Sequence, residues 1–500
     1  MNKRLVCASA AMLAVSARLY GEEKATGQLA RDYGAKPLPA SSAGLLNDWL
    51  RSQSDGFDPW DLGGQSRVRY EHREYFSSNV KANEVDFRRV GGDPDNSFLL
   101  YRQFLHLGYT PVSWLNFYVE GRESSATGDD RDPNPDSDFI DLYQAYARIG
   151  DPKAFPISVQ VGRQELLYGD ERLVGSSDWT NVKRSFDAVK LRYERSELWV
   201  DAFVSRVVMP YDNHFNVSND YDWFSGIYAS TTALAPKQET QLYLLSRNVG
   251  LKSPAAIGPP PAPQGASPRD IYTIGLRIKS LPGALGGWDY GAELMGQFGH
   301  FKETAAGAPA VLGKNLAQEA YAAYLGGGYT WTNAWGTPRL GVEYNFSSGD
   351  DNPTDGRHGT FDNLFPTNHK SYGNMDFFSL QNVHNLRFMS SVKPHKQLTV
   401  TADYHLFWLA DTHDSFYTIN GARRGGLGTT SGAGYGINPG YSSFVGSEVD
   451  LVGTYAIKKY ALLQAGYGHF FVGGYVKSSL AAIGGAADAD WVYGQLTFNF

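Results

Sequence analysis

The sequence predicts an all-β protein: a transmembrane antiparallel β-barrel of about 18 strands, with long extracellular loops and short periplasmic turns. Three observations predict it. Period-2 alternation of apolar and polar residues recurs along most of the chain, short and long connections alternate, and the last segment, DWVYGQLTFNF, is an amphipathic strand. Because successive side chains of a strand point to opposite faces, each such segment has one apolar and one polar face.

The composition favours sheets over helices. The 500 residues include 31 Tyr and 55 Gly, and the mean hydropathy is −0.36. Tyrosine is enriched in strands, and glycine is common in turns. The formal net charge of −7 argues against nucleic acid as a partner. The sequence after the first residues contains no run of about 18 apolar residues, as a spanning helix would need.

Residues 1–17 are predicted to be a signal peptide. They contain a positive start (MNKR), an apolar stretch over residues 5–15 and a small-residue cleavage site at Ala17. A lipoprotein interpretation through Cys7 is disfavoured, because the six residues before it include no apolar segment. Since Cys7 is the single cysteine, the exported chain would have none, which excludes a disulfide scaffold.

The rest of the chain divides into two predicted parts. Residues 18–64 are polar and contain Pro and Gly, and they are predicted to form an N-terminal periplasmic or plug-like segment. Within this segment, the apolar cluster around Trp49 is a candidate short helix that docks below or within the barrel. Residues 65–500 are predicted to form an outer-membrane β-barrel.

Eighteen segments of this barrel region read as strands. They are residues 65–75, 98–110, 113–123, 138–149, 156–166, 185–195, 196–206, 220–230, 238–247, 270–281, 288–300, 317–331, 336–348, 376–391, 395–410, 444–457, 460–471 and 489–500. Connections such as TPVS, ERSE and IKK alternate with long polar ones such as SSATGDDRDPNPDSD. Outer-membrane barrels require such sorting, with short turns on the periplasmic side, whereas a sandwich or propeller does not.

The strand DAVKLRYE shows how the faces are assigned. Val189, Leu191 and Tyr193 share one face, and Lys190, Arg192 and Glu194 share the other. The sequence contains no helical layer that could cover the apolar faces, so lipid is the predicted cover, and the last strand is expected to close the barrel against the first. The alternative is a secreted β-rich protein with ordinary alternating strands.

The predicted inward set is rich in charged residues. It comprises Arg67, Arg69, Arg73, Arg122, Arg163, Lys190, Arg192, Arg277, Arg339 and Arg387, with Glu71, Glu120, Glu165, Glu194, Glu293, Glu343, Glu448 and Asp450. One interpretation is a ladder of ion pairs that braces the wall. The other is a basic constriction that attracts an anionic solute, since rings of Arg or Lys confer anion selectivity on pores.

The sequence carries no recognised catalytic motif. The sequence contains no G-x-S-x-G, H-E-x-x-H or Walker A motif, so we expect no enzyme activity and no cofactor. A surface hydrolase or adhesin that uses the long loops remains an alternative. Asp350, Asn352 and Asp355 resemble part of a calcium loop but lack the closing glutamate, so a turn-rich acidic loop is favoured.

Three blocks resemble the alginate-export family of outer-membrane proteins. They are GRQELLYGDERLVGSSDWTNVKRSFDAVKLRYE, RHGTFDNLFPTNHKSYGNMDFFSLQNV and GSEVDLVGTYAIKKYALLQAGYGHFFVGGY. The resemblance implies an eighteen-stranded barrel that exports an anionic polysaccharide passively through an arginine-rich lumen. It also implies a conduction path for uronate carboxylates, made by Arg163, Glu165, Asp170, Arg172, Arg184, Asp187, Lys190 and Arg192.

The sequence departs from the family pattern at one place. The alginate exporter gates its periplasmic mouth with a long turn between the sixteenth and seventeenth strands, whereas the corresponding turn here is IKK. An uptake porin selective for anions or sugar acids is therefore the alternative function. The predicted location is the outer membrane of a Gram-negative-type envelope. The expected partners are the polysaccharide and outer-membrane lipid, and periplasmic export proteins remain an open option.

Overall fold

The computed structural model describes residues 44–75, 86–90, 95–131, 134–151, 154–253, 267–304, 311–425 and 434–500. In this part of the chain, eighteen long antiparallel strands form one sheet. They are β1 Trp60–Glu74, β2 Asp95–Val112, β3 Leu115–Thr127, β4 Asp138–Ile149, β5 Ile157–Gln164, β6 Phe186–Arg195, β7 Leu198–Met209, β8 Val217–Thr231, β9 Gln238–Val249, β10 Arg269–Ser280, β11 Trp288–Lys302, β12 Asn315–Thr330, β13 Arg339–Ser347, β14 Val383–His395, β15 Leu398–Leu409, β16 Phe444–Lys458, β17 Ala461–Val472 and β18 Ala489–Asn499.

The sheet closes on itself through β1 and β18. Their antiparallel register runs from the pair Gln65 and Asn499 to the pair Glu74 and Asp490. Gly64 and Phe500 then exchange two backbone hydrogen bonds of 3.0 and 3.1 Å. Glycine is needed at residue 64, because a Cβ there would lie 2.8 Å from the Phe500 ring and 2.3 Å from a carbonyl oxygen of β2. The predicted barrel and the predicted pairing of the last strand with the first are both confirmed.

The connections are sorted between the two ends of the barrel as predicted. At one end, four connections have only two residues: 113–114, 196–197, 396–397 and 459–460. At the other end lie the connections 75–94, 165–185, 348–382 and 410–443. The connection over 210–216 is short for that end, with seven residues. The sorting matches an outer-membrane barrel, whose long loops lie on the extracellular side.

Each predicted strand overlaps an observed strand, and the largest difference is at β14. The sequence predicted a start at residue 376, whereas β14 starts at Val383. The apolar residues before Val383 lie inside the barrel, where Phe378 stacks on Phe407 with ring centroids 3.8 Å apart. The first strand starts at Trp60, five residues before the predicted boundary.

The two faces of the wall differ in composition. On β6, Val189 and Leu191 are each 45% exposed on the outer face, whereas Arg192 on the inner face forms an ion pair with Asp201, which is fully buried. Exposed apolar residues recur at alternate positions on the other strands. Such a surface needs an apolar cover, which lipid would provide.

The largest buried apolar cluster lies inside the barrel. Phe365, from the connection over 348–382, packs edge-on against Phe186 and Phe224 of the wall, with centroids 5.2 and 5.0 Å apart. Phe377 packs edge-on against Phe470, and Phe378 stacks on Phe407. The long connections thus fold back into the lumen, because their aromatic residues find apolar partners on the inner wall.

The described helices are short. They are α1 Leu45–Gln53 and α2 Gly474–Leu480, with 3-10 turns at Asp55–Phe57, Asn368–Lys370 and Ala481–Ile483, and none is long and apolar enough to cross a membrane. Helix α1 lies against the start of β1, because Asn47 accepts a hydrogen bond from Leu62 N (2.7 Å) and Arg51 donates to Trp60 O (3.0 Å). The predicted signal peptide lies outside the described residues.

The outer face can be tested at Leu191. Leu191→Arg is expected to lower the free energy of unfolding by about 2–4 kcal/mol, because the substitution places a charge in hydrocarbon. Lys190→Arg on the inner face is the control, and we expect it to have little effect. Reversible urea unfolding in lipid vesicles measures both. A Leu191→Arg variant as stable as the parent would contradict a lipid-covered outer face.

Candidate functional site

Two connections enter the lumen and define the candidate site. We call residues 165–185 the first inward loop and residues 348–382 the second inward loop. Leu166 and Val174 of the first loop are each 1% exposed, and Phe361 of the second is fully buried. Any solute that crosses the barrel must pass beside these loops.

One end of the first inward loop is held by arginines of β1 and β2. Arg67 donates to the carbonyl oxygens of residues 178, 179 and 180, at 3.0–3.1 Å. Arg102 donates to the carbonyl oxygens of residues 178 and 180, at 3.0 Å each. Arg69 lies 3.8 Å from the centre of the Trp179 ring and donates to its carbonyl oxygen (2.8 Å). These guanidinium groups therefore hold loop backbone.

The other end of the first inward loop reaches the opposite wall. Arg172 donates to Asn345 Oδ1 (2.7 Å) and Glu343 Oε1 (3.0 Å) of β13. Burial alone would lower the pKa of Arg172, but the Glu343 carboxylate raises this pKa well above its ordinary value. Asp170 pairs with Arg277 (2.7 Å) and Lys279 (2.9 Å) of β10. The first inward loop thus crosses the lumen.

The two inward loops are joined to each other, and we call this contact the loop junction. Phe365 N donates to Leu173 O (2.9 Å), and Gly175 N donates to Phe365 O (2.8 Å). Thr367 Oγ1 donates to Glu171 Oε2 (2.6 Å). Gly175 is required here, because a Cβ would lie 2.3 Å from Thr367 Oγ1.

Arg184 also belongs to the loop junction. It donates to Gly175 O of the first loop and Pro366 O of the second, at 3.0 Å each. Burial, together with the nearby charge of Arg247, lowers the pKa of Arg184 to about 10. Arg184 therefore links the two loops through their backbone and remains charged at neutral pH.

The structure places six of the eight predicted site residues inside the barrel. Glu165, Asp170, Arg172 and Arg184 belong to the first inward loop, and Lys190 and Arg192 belong to the inner face of β6. Glu165 binds Lys183 Nζ (2.7 Å) and accepts a hydrogen bond from the Tyr143 hydroxyl. These residues are distributed between the loop anchors and the wall.

Arg163 and Asp187 do not share the strand phase of the inward residues Lys190 and Arg192, and Arg163 is buried, with 8% of its surface exposed. Arg163 is two residues from Val161, and Asp187 is two residues from Val189; both valines are exposed on the outer face. Arg163 is in the predicted inward set and both residues are in the path that the resemblance implies, whereas alternation with the exposed valines gives them the opposite phase. Arg163 pairs with Asp187 at 2.8 and 3.2 Å and donates to Asn216 O (3.1 Å).

Many cations of the inner wall are ion paired. The pairs are Arg192 with Asp201 (2.6 Å), Arg247 with Asp222 (2.7 Å), Arg277 with Asp170 (2.7 Å), Arg339 with Asp289 (2.6 Å) and Arg387 with Asp403 (2.5 Å). For these arginines the bracing interpretation has direct support.

Sequence reasoning missed three inner residues. Arg102 and Arg148 lie on the polar faces of β2 and β4, where alternation in LLYRQFLHL and QAYARI could have identified them. Trp179 stacks on His369 of the second inward loop with centroids 4.0 Å apart. No local pattern signals Trp179, because its position depends on both loops folding inward.

Comparisons with known proteins decide the family. The alginate-export family model matches residues 59–486. The chain belongs to the alginate-export family. No curated protein matches the sequence.

Solved structures show the same fold. Pseudomonas aeruginosa OpdQ is 13% identical with a TM-score of 0.53, and the match covers 89% of this chain and 98% of OpdQ. OccK9 (OpdG) of the same organism is 14% identical with a TM-score of 0.53, and the match covers 89% of this chain and 99% of OccK9. OccK2 (OpdF), crystallised with glucuronate, is 13% identical with a TM-score of 0.50, and the match covers 88% of this chain and 98% of OccK2.

The family and the fold together make this chain an outer-membrane channel. In this alginate-export family member, the segment around Asp350 forms hydrogen-bonded turns: Asp350 Oδ1 accepts from Asn352 N (3.1 Å), and Asp355 Oδ1 accepts from Arg357 N (2.7 Å). Among the described side chains, no group of three or more carboxylate, histidine or cysteine residues is placed to hold a metal ion.

Two buried carboxyl groups meet where the second inward loop contacts the connection over 410–443. Asp350 is 5% exposed and Asp414 is 2% exposed, and Asp350 N donates to Asp414 Oδ2 (3.1 Å). Burial and the charge of Asp414 raise the pKa of Asp350 to about 6. The charged form of Asp350 therefore opposes the folded arrangement of the loops at neutral pH.

Asp350→Asn tests this effect. The pKa of Asp350 is higher in the folded state than the ordinary 3.8, so the folded state binds the proton more tightly. The destabilising contribution of Asp350 to the parent should therefore shrink as pH falls from 7 through 6 towards 4. The variant should lack this pH-dependent contribution. Its free energy of unfolding at pH 7 should exceed that of the parent by roughly 1–2 kcal/mol.

Unfolding free energies at pH 7 and pH 5 provide the measurement. Asp351→Asn is the matched control, because the Asp351 side chain is 71% exposed and its replacement should change stability by less than about 0.5 kcal/mol. Equal stabilities of parent and Asp350→Asn at pH 7 would refute the effect.

Proposed function

We propose that this channel exports an anionic, alginate-like polysaccharide passively through its arginine-rich lumen. The observation that carries the proposal is the cationic inner wall, where guanidinium and ammonium groups recur on β1, β2, β4, β6, β10, β13 and β14. Membership of the alginate-export family supports the same proposal. Bidentate pairing with arginine is a strong interaction for a carboxylate such as that of a uronate.

The ion pairs of the wall explain how such a solute could move on. Where an arginine already has a carboxylate partner, as Arg192 has Asp201 at 2.6 and 2.8 Å, a passing uronate must compete for the guanidinium. Competition keeps each contact weak, and conduction requires sites that bind well enough to be entered but weakly enough to be left. The alternation of acids and bases thus suits transfer from one cation to the next.

The alternative is an uptake porin for small anions or sugar acids, and the loop junction favours it. Backbone pairing between the loops, together with Thr367 and Arg184, fastens the two inward loops across the lumen. A small sugar acid can pass beside fastened loops more readily than a polymer can. Export of a polymer requires the loop junction to open, whereas uptake of a small sugar acid does not.

The N-terminal residues fit a protein that is itself exported to the outer membrane. We propose that residues 1–17 direct secretion and are removed, and that the part of the 18–64 segment before β1, which starts at Trp60, lies on the periplasmic side. Helix α1 is at the short-turn end of the barrel, where Lys459 of the β16–β17 turn lies 3.9 Å from Asp48. That turn has only two residues, so a long turn does not gate the mouth here. A periplasmic export protein would meet the barrel at this end.

Recordings from purified protein in planar lipid bilayers test the proposal. We expect anion selectivity and brief current interruptions by uronic-acid oligomers, but not by neutral oligosaccharides of equal length. Cation selectivity, or no response to uronate oligomers, would contradict the export function. Passage of glucuronate without interruption by longer oligomers would support the uptake porin.

Arg192→Ala tests the contribution of a paired wall arginine. Its loss leaves Asp201 without its guanidinium partner, so the wall becomes more negative and anion over cation selectivity should fall at least twofold, as measured by reversal potential in a salt gradient. Arg206→Ala is the control, because Arg206 pairs with Asp220 on the outer face. Unchanged reversal potentials in Arg192→Ala would mean that this side chain only braces the wall.

A further inference from the structure

Three polar side chains form one row across the inner wall. Arg148 of β4 is the register partner of Gln160 of β5, and Gln160 is the partner of Lys190 of β6. Their chain neighbours Ile149, Val161 and Leu191 are exposed on the outer face at 53%, 47% and 45%. By strand alternation the three polar side chains therefore face the lumen, with the Cα atoms of Arg148 and Lys190 about 10 Å apart.

The two cations of this row differ from the paired cations of the wall. Within the described residues, neither Arg148 nor Lys190 has a carboxylate within 4 Å or makes a side-chain hydrogen bond, whereas Arg192 and Arg277 each have a partner at 2.6–2.7 Å. The nearby acids are engaged elsewhere: Asp201 binds Arg192, and Glu165 binds Lys183. The row therefore presents to the lumen two cations that have no ion-pair partner among the described residues.

An aromatic surface borders the row. Tyr146 is two residues from Arg148 on the same face, and it stacks on Tyr118 of β3 with centroids 5.2 Å apart and ring planes at 22°. Tyr118 stacks in turn on His106 of β2 at 5.5 Å. The register partner of Tyr146 on β5 is Gly162, which places no side chain beside the ring. Gly162 has φ +126°, and a Cβ there would lie 2.2 Å from Ala145 O, so the strand keeps this gap.

We propose that Arg148, Gln160 and Lys190, together with Tyr146, form a binding subsite for one carboxylate-bearing sugar, a uronate unit of the conducted solute. The inference rests on the proposed anion-conducting function. The two cations bind the carboxylate, because charge-assisted hydrogen bonds to carboxylates are strong. The Gln160 amide reaches a hydroxyl group of the same unit. The Tyr146 ring covers a C–H face of the sugar, since the negative face of an aromatic ring attracts polarised C–H groups.

The subsite explains why these two cations lack protein partners. A wall that only needs bracing pairs each charge, as it does at Arg339 and Arg387. A cation left open can exchange one solute carboxylate for the next without first breaking a protein ion pair. Arg148 lies one residue before the end of β4, near the short-turn end of the barrel. A polysaccharide leaving the periplasm would meet this row before the inward loops.

The test is the concentration dependence of current block by glucuronate and by a uronic-acid trisaccharide, with full-length protein in planar bilayers. We expect Arg148→Gln and Lys190→Gln each to weaken block three- to tenfold, and the double variant to weaken it at least thirtyfold. Lys190→Arg should retain block within twofold, because the charge is kept. Arg206→Gln on the outer face removes the same charge and should leave block unchanged.

Tyr146→Leu separates sugar recognition from charge attraction. It should weaken block by the trisaccharide at least threefold but leave the reversal potential in a salt gradient unchanged. Parent-like block in both single variants and in the double variant would overturn the subsite while leaving the channel function intact. A parent that shows neither anion selectivity nor uronate block would instead overturn the proposed function.

Discussion

The satisfaction of backbone hydrogen bonds within hydrocarbon is the constraint on which the structure depends. A bilayer core offers no water to exposed N–H and C=O groups, so a sheet can cross it only if it closes. The ladder between β1 and β18, from Gln65 opposite Asn499 to Glu74 opposite Asp490, removes both sheet edges. Because the first and last strands of this up-and-down barrel pair antiparallel, the number of strands is even.

Closure also creates an interior that the chain must fill. The inward loops occupy it. Arg67 and Arg102 of the wall bind carbonyl oxygens near Trp179, and Arg172 of the first inward loop binds Glu343 of the far wall. Some of the side chains that make the lumen positive therefore also hold in place the loops that narrow it. A cation is free to bind the solute only where neither a loop nor a carboxylate already binds it. This property distinguishes the row containing Arg148 and Lys190 from the paired arginines of the wall.

Strand number, connection order and facing on β6 were predictable, because period-2 alternation and turn length are local properties of sequence. Arg163 and Asp187 show how facing can change along a block: they lie two residues from Val161 and Val189, which are exposed, and so differ in phase from Lys190 and Arg192. The early predicted start of β14 has another cause: Phe378 is as apolar as a strand residue but packs against Phe407 inside the barrel. Contacts such as Thr367 with Glu171 join residues 196 positions apart, and no local pattern encodes them.

The central claim is that lipid covers the outer face of the wall while water and ions reach the inner one. Single cysteines at Val189, Lys190 and Leu191, in a chain whose Cys7 is serine, test it through reaction with a charged, membrane-impermeant thiol reagent in lipid vesicles. The account predicts that Lys190→Cys reacts while Val189→Cys and Leu191→Cys are protected. Equal reactivity at all three positions, or protection of residue 190 alone, would contradict it.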